Sequence, residues 1–166
     1  FSDEEEGYVG SVRDYFLAQS NGQFELDFDV VGPVTMSKNS GYYGGDGAYQ
    51  KDEKVYEMIK EACDGIQDKV NLKDYDWDGD GEADQVFFLY AGLGQASGGS
   101  PGTIWPHESE LRYWPCGVLS YPTGKINTYA CANELQPETQ GSSRYISAGI
   151  GTICHEFSHC LGFADM

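Results

Sequence analysis

Two histidines four residues apart constrain this chain more than any other feature of its 166 residues. The segment HEFSHCLGFAD occupies residues 155–165, within a helix that the apolar pattern predicts from about residue 148 to 161. At about 100° per residue, His155 and His159 project from one helical face, one turn apart. Two imidazoles in that register can both reach one small cation, and zinc favours nitrogen ligands. The carboxylate of Glu156 is placed to accept a proton from a water at the metal.

The residues after the second histidine supply a third ligand. Gly162 allows the helix to end in a left-handed turn, so that the chain doubles back and offers Asp165. Three protein ligands leave a fourth position for water, which is typical of a catalytic zinc. The alternative is a chance match in a core helix whose histidines are satisfied by hydrogen bonds. The apolar face on the other side of the helix favours the metal site over this alternative. That face consists of Ile150, Ile153, Phe157 and Leu161.

An acidic loop, DWDGDGEAD at residues 76–84, predicts a calcium site. Its aspartates fall at the first, third and fifth positions of a calcium loop, with Gly81 at the turn. An EF-hand would need a glutamate where Phe87 stands, so the loop is not an EF-hand. The alternative is a solvated acidic turn, but a divalent cation would relieve the mutual repulsion. Such a site suits extracellular calcium, and its predicted ligands are Asp76, Asp78, Asp80, Glu82 through its carbonyl, and Asp84.

Periodicity along the rest of the chain predicts an α+β fold. Residues 52–70 carry the clearest amphipathic helix, and residues 8–21 (with Val9, Val12, Phe16 and Leu17) show weaker helical spacing. Alternation predicts a half-buried strand at 24–30 and a strand at 125–132, and the apolar run at 85–90 predicts a buried central strand. We expect a twisted mixed sheet, backed by the 52–70 helix, with the metal-binding helix beneath it.

Composition excludes two classes of protein. Acidic residues outnumber basic ones by 27 to 10, a net charge of −17, so a nucleic acid is not the expected partner. No apolar run approaches the ~20 residues that a transmembrane helix needs. Five cysteines without a C-x-x-C pair are too sparse for a disulfide scaffold. Cys116 and Cys131 could pair across a loop in an oxidising compartment.

Four segments, taken in order, resemble the M6 peptidases, the immune inhibitor A-like secreted bacterial metalloproteases. They are SVRDYFLAQSNGQFELDFDVVGPV, DWDGDGEADQVFFLYAG, TIWPHE and GIGTICHEFSHCLGFAD. The resemblance implies a zincin-type catalytic domain related to the metzincins, secretion and a calcium-stabilised fold. It also implies that His155, His159 and Asp165 bind zinc and that Glu156 is the general base and acid.

Two departures from the family bear on the domain organisation. Phe163 and Ala164 stand where the family commonly has Leu-Pro, a mild change that leaves the ligand geometry possible. Metzincin-like enzymes also need a lower subdomain with a methionine turn, and Met166 lies too close to Asp165 to be that methionine. We therefore interpret residues 1–166 as one portion of a catalytic domain, its upper subdomain, without the lower one.

The favoured function is a secreted zinc endopeptidase that acts on protein or peptide substrates. The alternative is a calcium-stabilised extracellular binding or adhesion domain that keeps a metal site without turnover. Zincins pair an extended peptide with an edge strand above the metal helix. We predict that strand to be residues 125–132, with Asn127, Thr128 and Tyr129 at the substrate, unless it is a central strand paired on both sides. His107 is expected to be a hydrogen-bonded loop residue, or else to face the cleft.

Overall fold

The computed structural model describes residues 10–48 and 50–165, and these form a mixed α+β fold. Val9, Tyr49 and Met166 lie outside the described residues. None of the helices in the described ranges is long and apolar enough to cross a membrane. The helices are α1 (Val12–Gln19), α2 (Ser40–Tyr43), α3 (Val55–Ile66) and α4 (Gly151–Cys160). The strands are β1 (Phe87–Leu93), β2 (His107–Glu110), β3 (Leu119–Tyr121), β4 (Gly124–Ile126), β5 (Thr128–Pro137) and β6 (Tyr145–Ser147).

Strand β5 is the centre of the main sheet. It pairs in parallel with β1 on one side and antiparallel with β2 on the other. Ala130 is aligned with Phe87 of β1 and with Glu108 of β2. Strand β6 pairs antiparallel with the second half of β5, and β3 and β4 form a separate hairpin. The mixed sheet that the sequence predicts is therefore confirmed.

The two faces of β5 carry side chains of different size because each face packs against a different layer. Tyr129 and Cys131 are fully buried in the main core, which also holds the apolar stripe of α3. Ala130 and Ala132 point to the opposite face, where α4 packs. Their small side chains allow the helix backbone to approach the sheet closely. The predicted backing helix at residues 52–70 is confirmed as α3, shortened at both ends.

Helix α1 supports α4 from behind. The Ser11 hydroxyl accepts a hydrogen bond from the Asp14 N–H at 3.1 Å, and the Asp14 carboxylate accepts from the Ser11 N–H at 2.9 Å. This reciprocal capping box fixes the start of the helix. Val12 and Phe16 are buried against α4, and the rings of Phe16 and Phe157 lie 5.3 Å apart. The predicted helix at 8–21 is thus confirmed over residues 12–19.

The predicted strand at residues 24–30 is wrong, since these residues form no regular secondary structure. Leu26 is buried in the cluster between α1 and α4, but Val30 is 87% exposed and Phe28 is also exposed. Alternating apolar and polar residues form a strand only where a neighbouring strand supplies hydrogen bonds and where other residues cover the apolar face. Here Leu26 and the partly buried Phe24 anchor an extended segment to the helices.

Two strand positions also need correction. The segment at 85–90 contributes to β1, which lies at a sheet edge and not at its centre, and Leu89 is 48% exposed. The segment at 125–132 is not one edge strand. It divides at Asn127 into the end of β4 and the start of β5, and β5 is paired on both sides. Side chains alternate between the two faces of central and edge strands alike, so an alternating sequence does not indicate where a strand lies in the sheet.

Candidate metal centre

Helix α4 places its two histidines on one face and its apolar side chains on another, as its sequence predicts. Cys154 and Phe157 are buried against α1, and Ile150, Ile153 and Leu161 pack around them. His155 is exposed and His159 partly exposed on the other face. Their Nε2 atoms lie 3.3 Å apart. The apolar back of the helix thus fixes the direction in which both imidazoles point.

The end of α4 is a Schellman motif that turns the chain back toward the histidines. Gly162 has φ +88°, its N–H donates to the His159 carbonyl at 2.8 Å, and the Phe163 N–H donates to the Ser158 carbonyl at 3.1 Å. This pair of bonds defines the motif and favours glycine at the left-handed position. The amide of Gln85, just before β1, also donates to the Cys160 carbonyl at 3.1 Å. The helix end is therefore tied to the sheet.

Asp165 completes a triangle of ligand atoms. Its Oδ1 lies 3.4 Å from the Nε2 of His155 and 3.4 Å from the Nε2 of His159. In a tetrahedral zinc site with bonds of about 2.0–2.1 Å, any two ligand atoms are about 3.3 Å apart. The observed spacings match that geometry. The three residues therefore fit zinc.

The His159 ring is held by the turn that follows it. Its Nδ1 lies 2.7 Å from the carbonyl oxygen of Phe163. A carbonyl accepts only from a protonated nitrogen, so the proton resides on Nδ1 and the lone pair of Nε2 faces the triangle. Metal-binding histidines are commonly oriented by such an outer hydrogen bond.

Glu156 lies beside the two histidines in a buried environment. The residue is 7% exposed, and a carboxylate oxygen lies within 4.8 Å of a ring nitrogen of each histidine. Burial raises the pKa of its carboxyl group, the two histidines oppose that rise, and Asp165 and Glu108 add to it. A carboxylate with an elevated pKa next to a metal site can accept a proton from water.

The acidic loop brings together part of the predicted calcium ligand set. Carboxylate oxygens of Asp76, Asp78 and Asp84 lie within 4.8 Å of one another. Asp80 instead accepts a hydrogen bond from the Glu82 N–H at 2.7 Å. The Glu82 carboxylate lies 3.6 Å from the Arg112 guanidinium, which leaves its carbonyl as the predicted ligand.

Two glycines shape the acidic loop. Gly79 and Gly81 have φ +80° and +87°, and their N–H groups donate to the Asp76 carboxylate at 2.8 and 3.0 Å. Left-handed backbone at both positions lets the loop fold around that carboxylate.

The predicted substrate residues are not at the site. Asn127 and Tyr129 are fully buried. The Asn127 side chain accepts from the Arg112 N–H at 3.1 Å and donates to Glu110 at 3.2 Å. Thr128 is paired with Glu110 in the β2–β5 ladder. Their assignment to substrate binding is wrong, because Asn127 and Tyr129 are buried and because Thr128 and Tyr129 are paired with β2.

His107 has a structural role on the face of β2 that points away from α4. Its Nε2 lies 2.9 Å from the Tyr129 hydroxyl and its Nδ1 lies 2.7 Å from the Trp105 carbonyl. Burial lowers the pKa of its imidazole. The residue is hydrogen-bonded, as expected, but it belongs to a strand and not to a loop.

Sequence reasoning did not find β2 or Glu108 as parts of the site. Strand β2 pairs with β5 on one side, and no described strand pairs with its other side. It also packs against α4, so that Glu108 acts electrostatically on His159 and Glu156. The available signal was the recurrence of glutamate at every second residue of HESE (107–110). The long Gly- and Pro-rich region around this segment obscured the strand.

Comparison with known proteins identifies the family of this chain. The family profile described as the immune inhibitor A peptidase M6 catalytic domain matches residues 1–166. Pre-pro-metalloprotease PrtV of Vibrio cholerae serotype O1 is 30% identical over 195 residues, which cover 99% of this chain and 20% of PrtV. Immune inhibitor A of Bacillus thuringiensis subsp. alesti is 26% identical over 192 residues, 99% of this chain and 26% of that protein. The chain thus spans about a fifth to a quarter of these relatives. On this evidence the chain belongs to the immune inhibitor A family of M6 peptidases.

Proposed function

We propose that this chain is the catalytic part of a secreted zinc endopeptidase. The observation that carries the proposal is the triangle of His155, His159 and Asp165, with ligand atoms 3.3–3.4 Å apart and Glu156 beside it. Secretion is proposed from the resemblance to secreted proteases. The interpretation of residues 1–166 as the upper subdomain of a zincin domain is part of the same proposal.

Each residue of the site has a separate role. His155, His159 and Asp165 hold the zinc ion, and the Phe163 carbonyl keeps His159 in the ligating tautomer. Bound zinc supplies Lewis acidity, which activates water and polarises a peptide carbonyl. Glu156 accepts the proton of the attacking water and delivers it to the leaving amine. The buried position of its carboxylate raises the pKa of this group, which favours the uptake of a proton from water.

The substrate is proposed to lie along β2 and not along the 125–132 segment. The outer edge of β2 offers N–H and C=O groups that no strand of the described residues uses. An extended peptide can pair with such an edge through its own backbone, without a particular side-chain sequence. Since β2 packs against α4, a peptide at this edge passes close to the metal-binding face.

A structural calcium ion in the acidic loop is the second cofactor of the proposal. The convergence of Asp76, Asp78 and Asp84 supports it. Asp80 and the Glu82 carbonyl would complete the set. Oxygen ligands in this number are typical of calcium, and the ion would offset the repulsion among the carboxylates.

The function is tested by the substitution Glu156→Gln in the zinc-loaded, full-length protein. Cleavage of casein should fall by at least about a hundredfold, since a general base commonly contributes that much. Zinc content, measured by atomic absorption, should stay at the wild-type level because the three ligands are intact. Glu138→Gln is the matched control, since Glu138 forms a surface ion pair with Arg144 at 3.2 Å.

Two results would contradict this assignment. Undiminished cleavage by the Glu156→Gln variant would remove Glu156 from the mechanism. Zinc binding without cleavage by the wild-type protein would favour the calcium-stabilised binding domain instead.

A further inference from the structure

Glu108 occupies the middle of β2 and faces the metal-binding helix. Its neighbours in the strand, His107 and Ser109, contact Tyr129 and Trp114 on the opposite face of the sheet. Side chains alternate along a strand, so Glu108 points to the face where α4 packs. Its partner across the ladder is the small, fully buried Ala130.

Glu108 is partly buried, and its carboxylate has no direct partner among the described residues. It makes no hydrogen bond or ion pair with any residue in the described ranges. Burial raises the pKa of this carboxyl group, Glu110 adds to the rise, and His159 opposes it. A half-buried carboxylate without a partner carries a desolvation cost that a cation can offset.

Glu110 provides the internal comparison. It lies on the same face of the same strand, two residues further along. Its carboxylate is 2.5 Å from the Arg112 Nε and accepts from the Asn127 amide at 3.2 Å. Glu108 is the one of these two glutamates that acts electrostatically on His159 and Glu156. Among the described residues it has no lysine or arginine partner, whereas Glu110 pairs with Arg112.

A peptide paired with the outer edge of β2 would place a side chain next to Glu108. Residues opposite each other on adjacent strands have Cβ atoms about 4.5–5.5 Å apart, on the same face of the sheet. A lysine or arginine at that position reaches the carboxylate, and its charge is complementary. The net charge of −17 also favours the approach of cationic segments.

We propose that Glu108 selects a substrate with a lysine or arginine side chain close to the scissile bond. This inference rests on the proposed peptidase function and adds a substrate class to it. Glu108 acts as a specificity-determining residue, through a charge-assisted contact in a partly desolvated cleft. It takes no part in the proton transfers assigned to Glu156.

The test uses the zinc-loaded, full-length protein and internally quenched peptides with blocked termini. Lysine, glutamine or glutamate is placed in turn at each of the three positions on either side of the scissile bond. The wild-type protein should prefer lysine over glutamine at one position, by about tenfold in kcat/KM. Glu108→Gln should bring that ratio close to one, and Glu108→Lys should make glutamate the preferred residue. Glu110→Gln is the matched control and should keep the wild-type ratio.

The outcomes separate this inference from the function on which it rests. If no peptide is cleaved by the wild-type protein, the peptidase proposal fails. If peptides are cleaved but the lysine-to-glutamine ratio is near one at every position, or survives Glu108→Gln, the role of Glu108 is overturned. A preference that appears only in peptides with a free N-terminus would identify the α-amino group as the cation, and it would also overturn selection by a side chain.

Discussion

At the scale of single residues, Asp52 is the acidic group most affected by burial outside the metal site. It is 3% exposed. One carboxylate oxygen accepts from the Trp105 N–H at 2.9 Å, and the other has no hydrogen-bond partner among the described residues. Burial raises the pKa of this carboxyl group from 3.8 to about 6. The folded protein therefore holds a proton that the unfolded chain releases at lower pH.

This pKa difference predicts how stability changes with pH. Between pH 4 and 6 the folded state keeps the Asp52 proton while the unfolded state loses it, so the free energy of unfolding falls as pH rises. Because the pKa of Asp52 is about 6 in the folded protein and 3.8 as its ordinary value, the free energy of unfolding falls by roughly 3 kcal/mol. This loss is nearly complete above pH 6. Asp52→Asn removes this contribution and keeps an acceptor for the Trp105 N–H. Urea unfolding in EDTA at pH 4 and pH 7 should show the smaller pH dependence in the variant.

The control for this measurement is Asp68→Asn, since Asp68 is exposed at the end of α3. That variant should follow the wild-type pH dependence. An equal pH dependence in Asp52→Asn and wild type would show that Asp52 is not the group responsible.

The cluster of proposed metal ligands could be predicted from sequence because its geometry is local. His155 and His159 are related by one helical turn, and Asp165 by a turn that Gly162 allows. Glu108 could not be predicted in the same way. It reaches α4 only through the pairing of β2 with β5, and no local pattern encodes that contact between distant segments.

At the scale of elements, the turn at the end of α4 is predicted to support metal binding. Gly162→Ala introduces a Cβ at φ +88°, where no atom lies within 4 Å, so its cost is backbone strain and not a clash. We expect a loss of about 1 kcal/mol in stability and weaker zinc binding, because Asp165 is positioned by this turn. Competition with a zinc chelator measures the affinity, and thermal unfolding measures the stability.

Gly151→Ala is the matched control on the same helix. Gly151 lies at the start of α4, without a left-handed φ and with no atom within 4 Å of the added Cβ. It should keep zinc affinity and leave stability equal or slightly higher, because alanine has the better helix propensity. Equal zinc affinity in Gly162→Ala and wild type would show that the turn does not position Asp165.

The helices could be predicted from their own sequence, whereas the order of the strands could not. The helices α3 and α4 follow from apolar stripes that each helix carries by itself. The strands are harder to predict. Apolar and polar residues alternate at 24–30, but no strand in the described ranges pairs with this segment. The same alternation in β5 does not indicate that two other strands pair with it. Sheet order depends on pairings such as that of Phe87 with Ala130, which join residues far apart in sequence.

At the scale of the whole molecule, the acidic loop connects the main core to the layer that holds α4. The loop follows Leu72 and Tyr75, which pack in or against the main core, and it leads into Phe87, which packs against the cluster behind α4. The carboxylates of Asp76, Asp78 and Asp84 converge between these two attachments. An ion bound there would therefore stabilise the fold as a whole and not only the loop.

Calcium titration tests this link. Protein stripped with EDTA and exchanged into chelator-free buffer should gain about 2.7 kcal/mol when calcium reaches a hundred times its Kd. For a chain of this size the gain corresponds to a rise in Tm of roughly 5–10 °C. Asp78→Asn should lose most of that rise because it removes one converging carboxylate, whereas Asp68→Asn should retain it. If calcium raises the Tm of Asp78→Asn as much as that of the wild type, the ion binds elsewhere, and the acidic loop is a solvated turn.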